Sequence, residues 1–158
     1  LTGARNRLCM ENDFSHHPEF LSHHYLLHID LDHFKQVNDV FGHAAGDEVL
    51  IRIAELLLRH TRETDIVGRL GGDEFGIVLA QATAVDSQQK AEQLTREVDQ
   101  LVVRDGGNVE RPGVRIGASC GVVEWQVGQT AENLLALADQ AMFAQKARRK
   151  TSLRADNQ

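Results

Sequence analysis

The stretch RETDIVGRLGGDEFGIVL, residues 62–79, predicts a β-hairpin. Two apolar runs, 66–70 and 75–79, stand on either side of Gly71-Gly72. A glycine pair supplies the positive φ angles that tight hairpin turns need. Asp73-Glu74 follows the glycines at once. Because acids are common at solvated turns, these two carboxylates indicate an active site only if further polar residues meet them.

Helical and strand signals alternate along the rest of the chain, with no internal repeat. The patterns predict the following elements: a helix over 7–15 with Asn6 as its cap, a strand over 25–31, a helix over 33–40 with Asp32 as its candidate cap, a break at 42–46, a helix over 47–60, a helix over 86–103, one or two strands over 114–124, and a last helix over 131–149. This order predicts an α+β fold in which helices cover a central sheet, and it disfavours a doubly wound parallel sheet.

Composition limits the classes of partner. A chain of 158 residues with 42% hydrophobic residues can bury a core of its own, which favours one domain. The net charge is −6 and there is no long basic block, so we expect no nucleic-acid partner. No apolar stretch approaches the roughly 18 residues of a membrane span and no signal peptide opens the chain, so we expect no membrane contact by this domain. Cys9 and Cys120 lie far apart, which favours a reduced compartment, hence the cytoplasm.

A carboxylate from another part of the chain favours an active site at the hairpin tip. Asp30 ends the predicted strand 25–31 and precedes a helix N-terminus, where ligands gather in sheet-based folds. If that strand is the neighbour of the hairpin, Asp30 and Asp73 converge. Two carboxylates beside free backbone amides suit a hard cation that bridges to phosphate oxygens. The sequence therefore predicts a site for magnesium with a nucleoside triphosphate.

Three polar residues after Asp30 suggest which base the site would read. Lys35 and Asn38 are three apart and share one helical face, and Asp47 could fold back toward Asn38 across the 42–46 break. Guanine offers two adjacent donors on its Watson–Crick edge, so a carboxylate beside an amide suits guanine better than adenine. Taken singly, each of the three also fits a solvated helix residue.

Four blocks together resemble the GGDEF domain family, the diguanylate cyclases. They are LTGARNR at 1–7, DLDHFKQVNDVFGHAAGD at 30–47, GRLGGDEF at 68–75 and LLALADQAMFAQKARRK at 134–150. The resemblance implies a palm-like nucleotide cyclase fold with a mostly antiparallel sheet. It implies that residues 1–158 are a single catalytic domain, the C-terminal part of a longer signalling protein, which condenses two GTP into cyclic di-GMP and two pyrophosphates.

The resemblance also implies roles for individual residues. The metal, Mg²⁺ with Mn²⁺ as an alternative, would be held by Asp30, the carbonyl of Leu31, and Asp73. The catalytic group would comprise Asp73, Glu74 and Lys35. The substrate GTP would be bound by His33, Phe34, Lys35, Asn38, Asp47, Lys146 and Lys150. Lys150 stands where the family commonly has an arginine, which makes its phosphate contact geometrically looser.

Two further expectations concern assembly and regulation. Since one domain binds one GTP, ring closure requires a homodimer with two-fold symmetry, at least transiently. Arg62 and Asp65 match the family's Arg-x-x-Asp inhibitory site, where cyclic di-GMP would bind as inhibitor. A helix-terminal salt bridge explains the same two residues equally well.

Other interpretations stay open at the level of sequence. The domain could be a non-catalytic cyclic di-GMP receptor or interaction domain, although such members typically lose an acid of the signature. A cyclase of mixed guanine–adenine dinucleotides is disfavoured by Asp47. The pairs His16-His17 and His23-His24 could form a metal cluster, but no cysteine or carboxylate is spaced with them as in zinc sites.

Overall fold

The computed structural model describes residues 5–6, 23–104, 112–126 and 128–156. In chain order its elements are β1 (Arg5–Asn6), β2 (His24–Asp32), α1 (Phe34–Phe41), α2 (His43–Arg59), β3 (Ile66–Gly71), β4 (Glu74–Leu79), α3 (Ala84–Asp99), β5 (Val102–Val103), β6 (Val114–Arg115), β7 (Gly117–Trp125) and α4 (Ala131–Asp156). Five strands form one sheet in the order β1-β3-β4-β2-β7, and β5 pairs with β6 separately. All pairs are antiparallel except β1 with β3, so the predicted α+β fold is confirmed.

Strand β2 lies between β4 and β7 in the sheet and is buried on both faces. Side chains alternate along a strand, and Leu27 and Ile29 pack into the cluster that α2 and α3 cover. Leu26 packs into a second cluster with Leu134 and Ala138 of α4. Helices therefore cover the sheet on both sides, and α4 has one face to itself.

Close contact between α4 and the sheet depends on a glycine. A Cβ atom placed on Gly121 of β7 would lie 2.4 Å from the backbone nitrogen of Met142 and 2.6 Å from the carbonyl oxygen of Ala138. Helix α4 also protects the outer edge of β7, because the Cys120 amide donates to Gln145 Oε1 at 2.8 Å. Covering such an edge removes a template for unwanted strand pairing.

The hairpin of β3 and β4 forms as predicted, but neither Gly71 nor Gly72 has the positive φ that was expected at its turn. The tip of the hairpin is bonded to β2. The register of the pair shifts between Arg69 and Gly71, which marks a β-bulge. The Arg69 guanidinium donates to the carbonyl oxygens of Gly71 at 3.0 Å and of Gly72 at 2.7 Å. The amide of Leu31 donates to the carbonyl oxygen of Asp73 at 3.0 Å. These bonds hold in place the backbone from which the Asp73 and Glu74 side chains extend.

Two predicted helix starts are wrong. Asp32 does not cap α1, because it is the last residue of β2 and its side chain faces α4; the cap position is His33, at φ 66° and without a side-chain cap bond. The break at 42–46 is confined to Gly42, at φ 90°, and α2 begins at His43. The Gly46 amide already donates to the Gly42 carbonyl oxygen at 3.2 Å, so the helix starts four residues before Asp47.

Other boundaries also differ from the predictions. Helix α3 begins at Ala84, where Thr83 Oγ1 accepts from the Asp86 amide at 3.0 Å, and it ends at Asp99. Residues 102–103, predicted as helix, form β5 because their β-branched side chains pair with β6. The region 114–124 contains two strands, and α4 continues seven residues beyond the predicted end at 149. Asn6 belongs to β1, and the helix predicted over 7–15 lies outside the described residues.

Within the described part of the chain, no helix combines the length and the apolar character that crossing a membrane requires.

Candidate active site

The structure brings Asp30 and Asp73 together at the end of the central strands. Asp30 pairs with Glu74 in the register of β2 and β4, so Asp73 at the tip lies beside it. Burial raises the pKa of Asp73, and the charge of Asp30 raises it further. Leu31, the third predicted metal ligand, follows Asp30 and is bonded through its amide to Asp73. The arrangement is an oxygen-rich edge whose negative charges repel one another.

Glu74, the second acid of the tip, points to the face that α4 covers. Its Oε1 lies 3.7 Å from Nε2 of His28. Burial is the largest cause that raises the pKa of Glu74, the neighbouring His28 opposes the rise, and the charges of Asp30, Asp139 and Asp73 add to it. A carboxyl group shifted in this direction is better suited to accept a proton near neutral pH.

Lys146 of α4 provides the positive charge nearest to these acids. Its Nζ lies 2.9 Å from Asp30 Oδ2 and 3.5 Å from Asp32 Oδ1. The hydrogen bond to Asp30 is the main reason why the pKa of Lys146 is raised. Lys146 was predicted to bind phosphate, and here it neutralises part of the charge of Asp30. Lys150, one turn further along α4, is exposed.

The start of α1 is open toward solvent. His33 occupies the N-cap position with left-handed backbone angles and makes no side-chain cap bond. The first amides of a helix have no partner within the helix, so a helix start without a side-chain cap is suited to anions. Lys35 is exposed in the same turn, and Phe34 is partly buried against the core. The three residues predicted to hold the triphosphate thus lie next to Asp30 in the chain.

Asn38 and Asp47 both lie near the turn between α1 and α2. A Cβ atom on Gly46 would lie 1.8 Å from Asn38 Oδ1, so the Asn38 side chain lies directly over Gly46. The Asn38 carbonyl oxygen accepts from the Gly42 amide at 2.9 Å, which closes the turn. Asp47 is the next residue after Gly46 and is exposed. The amide and the carboxylate therefore occupy one corner of the molecule.

Arg62 and Asp65 lie apart from these residues, in the loop before β3. Nη2 of Arg62 lies 3.1 Å from Asp65 Oδ1 and also donates to the Ala80 carbonyl oxygen. The Asp65 side chain is only 2% exposed and accepts from the backbone amides of Arg62 at 2.8 Å and Ala80 at 3.0 Å. Arg62 is 59% exposed at a cleft of about 250 Å³ that also contains Lys90.

Comparison with known proteins identifies the family. The family model described as "Diguanylate cyclase, GGDEF domain" matches residues 1–152. The chain belongs to the GGDEF domain family. Among curated relatives, it is 35% identical to the diguanylate cyclase TpbB of Pseudomonas aeruginosa over 98% of this chain and 36% of that protein. It is 34% identical to the cyclic di-GMP phosphodiesterase PdeB of Shewanella oneidensis over 94% of this chain and 17% of that protein.

A solved GGDEF domain has the same fold. The GGDEF domain of DgcB from Caulobacter crescentus, in complex with c-di-GMP, aligns with a TM-score of 0.81 at 25% identity. The alignment covers 91% of this chain and 86% of that one. This GGDEF domain spans 36% or less of the length of the two curated relatives named above.

Four residues near the site of this GGDEF domain escaped the sequence prediction: His28, Asp32, Asp139 and Arg149. Arg149 Nη2 donates to Asp99 Oδ1 at 2.9 Å, and its Nε lies 3.9 Å from Asp32 Oδ2. Asp32 is two residues from Asp30 and Arg149 is three from Lys146, so strand and helix periodicity place each on the same face as its neighbour. That periodicity was a signal that could have found Asp32 and Arg149.

The donor set of the GGDEF tip fits a hard divalent cation. Asp30 and Asp73 offer carboxylate oxygens, which Mg²⁺ and Mn²⁺ prefer. Burial and then the charge of Asp30 raise the pKa of Asp73, and a cation bound to both carboxylates would offset both effects. The histidine cluster that the sequence disfavours is not tested, because His16 and His17 lie outside the described residues. Of the other pair, His24 Nδ1 accepts from the Gln81 amide at 3.4 Å.

Proposed function

We propose that this domain is a diguanylate cyclase that condenses two GTP into cyclic di-GMP and two pyrophosphates. The observation that carries the proposal is the meeting of Asp30 and Asp73 at one sheet edge, where burial and the charge of Asp30 raise the pKa of Asp73. The start of α1 and the corner formed by Asn38 and Asp47 supply places for the triphosphate and for guanine. Family membership supports the same reaction.

The protein's own residues divide the work as follows. Asp30, the Leu31 carbonyl and Asp73 would hold Mg²⁺, or Mn²⁺ in its place. The cation would polarise the α-phosphate and lower the pKa of the attacking hydroxyl. The amides of His33 and Phe34 bind the triphosphate together with Lys35 and Lys146. Phosphate oxygens can draw Lys146 from Asp30 because its side chain is long and 28% exposed.

In each half-reaction the 3′-oxygen of one GTP attacks the α-phosphorus of the other. A new P–O bond forms, the bond from the α-phosphorus to the bridging oxygen breaks, and pyrophosphate leaves. The hydroxyl proton passes to Glu74, whose pKa is raised by burial. Lys35 offsets the charge that develops on the leaving pyrophosphate. In the second half-reaction the two nucleotides exchange roles, and the same steps close the ring.

Two domains facing each other across a two-fold axis would present the two nucleotides antiparallel. We therefore propose a homodimer, at least transient, as the active form. We also propose that residues 1–158 form one catalytic domain of a longer signalling protein that acts in the cytoplasm. The small share of the curated relatives that this chain spans supports the larger protein.

Product feedback at Arg62 and Asp65 is part of the proposal. The exposed guanidinium of Arg62 faces the cleft, where it can bind a phosphate or a guanine edge of cyclic di-GMP. The buried Asp65 holds the Arg62 backbone in place through its amide. DgcB was crystallised with c-di-GMP, which supports product binding by a GGDEF fold.

A non-catalytic cyclic di-GMP receptor is the second candidate, and the relative named a phosphodiesterase favours it. One assay separates the two functions: the purified domain is incubated with GTP and Mg²⁺, and the product is identified by mass. Asp30→Asn serves as the inactive control. If no cyclic di-GMP forms even with a dimerising fusion, while the domain still binds cyclic di-GMP, the receptor function replaces the cyclase.

A further inference from the structure

A histidine lies buried beneath α4, in the middle of β2. His28 is 3% exposed, and in the register of the sheet it stands between Gly76 of β4 and Gly121 of β7. Neither ring nitrogen of His28 has a hydrogen-bond partner. Burying such polar groups without partners is costly, so native structures seldom do it without a reason.

Two carboxylates face this ring. Oδ1 of Asp139 lies 2.7 Å from His28 Nδ1, although out of hydrogen-bond alignment, and Glu74 Oε1 lies 3.7 Å from Nε2. One ligand atom from each of the three residues lies within 4.8 Å of the others. The Asp139 and Glu74 side chains are 51% and 36% exposed, so an ion can reach the buried imidazole from solvent.

The charges around the cluster favour a cation. Glu74 and Asp139 repel each other, and the charges of Asp30 and Asp73 add to the repulsion at Glu74. Lys146, the nearby cation, is already bonded to Asp30. The His28 ring offsets part of this repulsion, but with Asp30 and Asp73 alongside, carboxylates still outnumber the cationic groups in this partly buried place.

We propose that His28, Glu74 and Asp139 bind a divalent transition-metal ion of the Zn²⁺ class, at a site distinct from Asp30 and Asp73. The nitrogen ligand selects the metal, since imidazole suits Zn²⁺ and its neighbours whereas Mg²⁺ prefers oxygen alone. Bonds of about 2.0–2.2 Å in a tetrahedral site place ligand atoms about 3.3 Å apart. Because Asp139 approaches Nδ1 and Glu74 approaches Nε2, a shared ion requires the exposed carboxylates to turn toward one ring nitrogen.

The rest of the coordination follows from the same residues. One nitrogen of His28 binds the ion, together with one oxygen from each of the two carboxylates. Three protein ligands leave a fourth position for water.

The site has a consequence for catalysis, and this consequence rests on the proposed cyclase function. Glu74 would be shared between the zinc site and the reaction. A carboxylate bound to Zn²⁺ no longer accepts the hydroxyl proton, so zinc inhibits turnover at constant Mg²⁺.

Binding is tested directly, by competition for Zn²⁺ with a chromophoric chelator on the metal-stripped domain. His28→Leu and Asp139→Asn should each weaken zinc binding by more than the roughly 10–100-fold that loss of an outer-shell partner costs. Asp139 is half exposed, so Asp139→Asn keeps the test valid if His28→Leu folds poorly. His23→Asn is the matched control, because His23 is exposed and asparagine tolerates its positive φ, and it should bind zinc as the wild type does.

The outcomes for the site and for the cyclase are separable. Absent zinc binding, or an affinity unchanged in both His28→Leu and Asp139→Asn, overturns the site, whether or not cyclic di-GMP is made. Zinc binding that depends on both residues, in a domain that makes no cyclic di-GMP without zinc, supports the site and overturns the cyclase. In an active domain, the zinc concentration that halves the rate should rise in Asp139→Asn by the same factor as the dissociation constant.

Discussion

Substituting Gly46 with alanine should improve the stability of the fold and impair GTP binding at the same time. Gly46 is buried near the start of α2, with the Asn38 side chain directly over it. A Cβ atom there would lie 1.8 Å from Oδ1, 2.9 Å from Cγ and 3.4 Å from Nδ2 of Asn38. Carbon atoms in contact normally stay about 3.5–4.0 Å apart. The carboxamide must therefore move away, which the end of a flexible side chain can do without displacing either helix.

The two effects have opposite signs and can be estimated. Alanine is favoured over glycine inside a helix by about 0.5–1 kcal/mol. For a domain of this size that gain corresponds to a rise of roughly 1–4 °C in melting temperature. If Asn38 reads guanine, moving its carboxamide loses a hydrogen bond with a net value of about 0.5–1.5 kcal/mol, which raises KM for GTP about 2- to 12-fold.

Thermal melting and initial rates of pyrophosphate release measure the two quantities. Asn38→Ala provides the matched background, because Gly46→Ala should add nothing further to KM once the carboxamide is gone. A Gly46→Ala variant whose KM stays at the wild-type value, when Asn38→Ala alone raises it, refutes the reasoning about the position of the carboxamide. A fall of several degrees in melting temperature refutes the claim that the Asn38 side chain can move aside at little energetic cost.

Three further predictions test other parts of the site. Asp73→Asn removes a carboxylate whose pKa is raised by burial and by Asp30, so the metal-free domain should melt at a higher temperature, while turnover and the stabilisation by Mg²⁺ disappear; a lower melting temperature without metal contradicts this. The hydrogen bond to Asp30 raises the pKa of Lys146 above 10.5, so its stabilising effect is present below pH 10.5 and is lost as the pH rises through the folded value. In denaturant titrations the free energy of unfolding that separates wild type from Lys146→Met should shrink at alkaline pH, and a constant difference argues against the bond. Arg62→Ala should raise the cyclic di-GMP concentration that halves the rate, with Arg62→Lys intermediate because lysine lacks the bidentate fork. An unmoved inhibition curve leaves Arg62 and Asp65 as a loop salt bridge only.

Local signals in the sequence were sufficient for the parts of the fold that depend on local chemistry. The apolar runs around Gly71-Gly72 predict the hairpin because only a tight turn can join strands so close in sequence. Asp32 and the 42–46 break were misjudged because tertiary contacts override local preference. Aspartate is a typical N-cap residue, but the carboxylate of Asp32 pairs instead with Lys146 of α4.

The candidate site also contains some residues that the sequence could predict and others that it could not. Asp30 and Asp73 were predictable as neighbours, since a hairpin next to a strand brings their ends together. His28 and Asp139 were not, because they are far apart in the chain and nothing in either periodicity says which strand residue faces which helix residue. That register follows from how closely α4 can approach β7, which Gly121 permits.

The register between α4 and β2 explains why so many charges lie on this face. Helix residues 139 to 149 advance by about 15 Å at 1.5 Å per residue, and strand residues 28 to 32 advance by about 13 Å at about 3.3 Å per residue. The two elements run in the same direction, so their contacts follow the same order along both chain segments. These contacts are His28 with Asp139, Asp30 with Lys146, and Asp32 with Lys146 and Arg149. In this series of contacts, Asp30 and Asp32 face basic side chains of α4, whereas His28 faces the acid Asp139. The pair of His28 and Asp139 is therefore the one without a lysine or an arginine, and it borders Glu74. If the proposed metal ion binds there, it joins the acid of the helix to the histidine of the strand, as Lys146 joins the helix to Asp30.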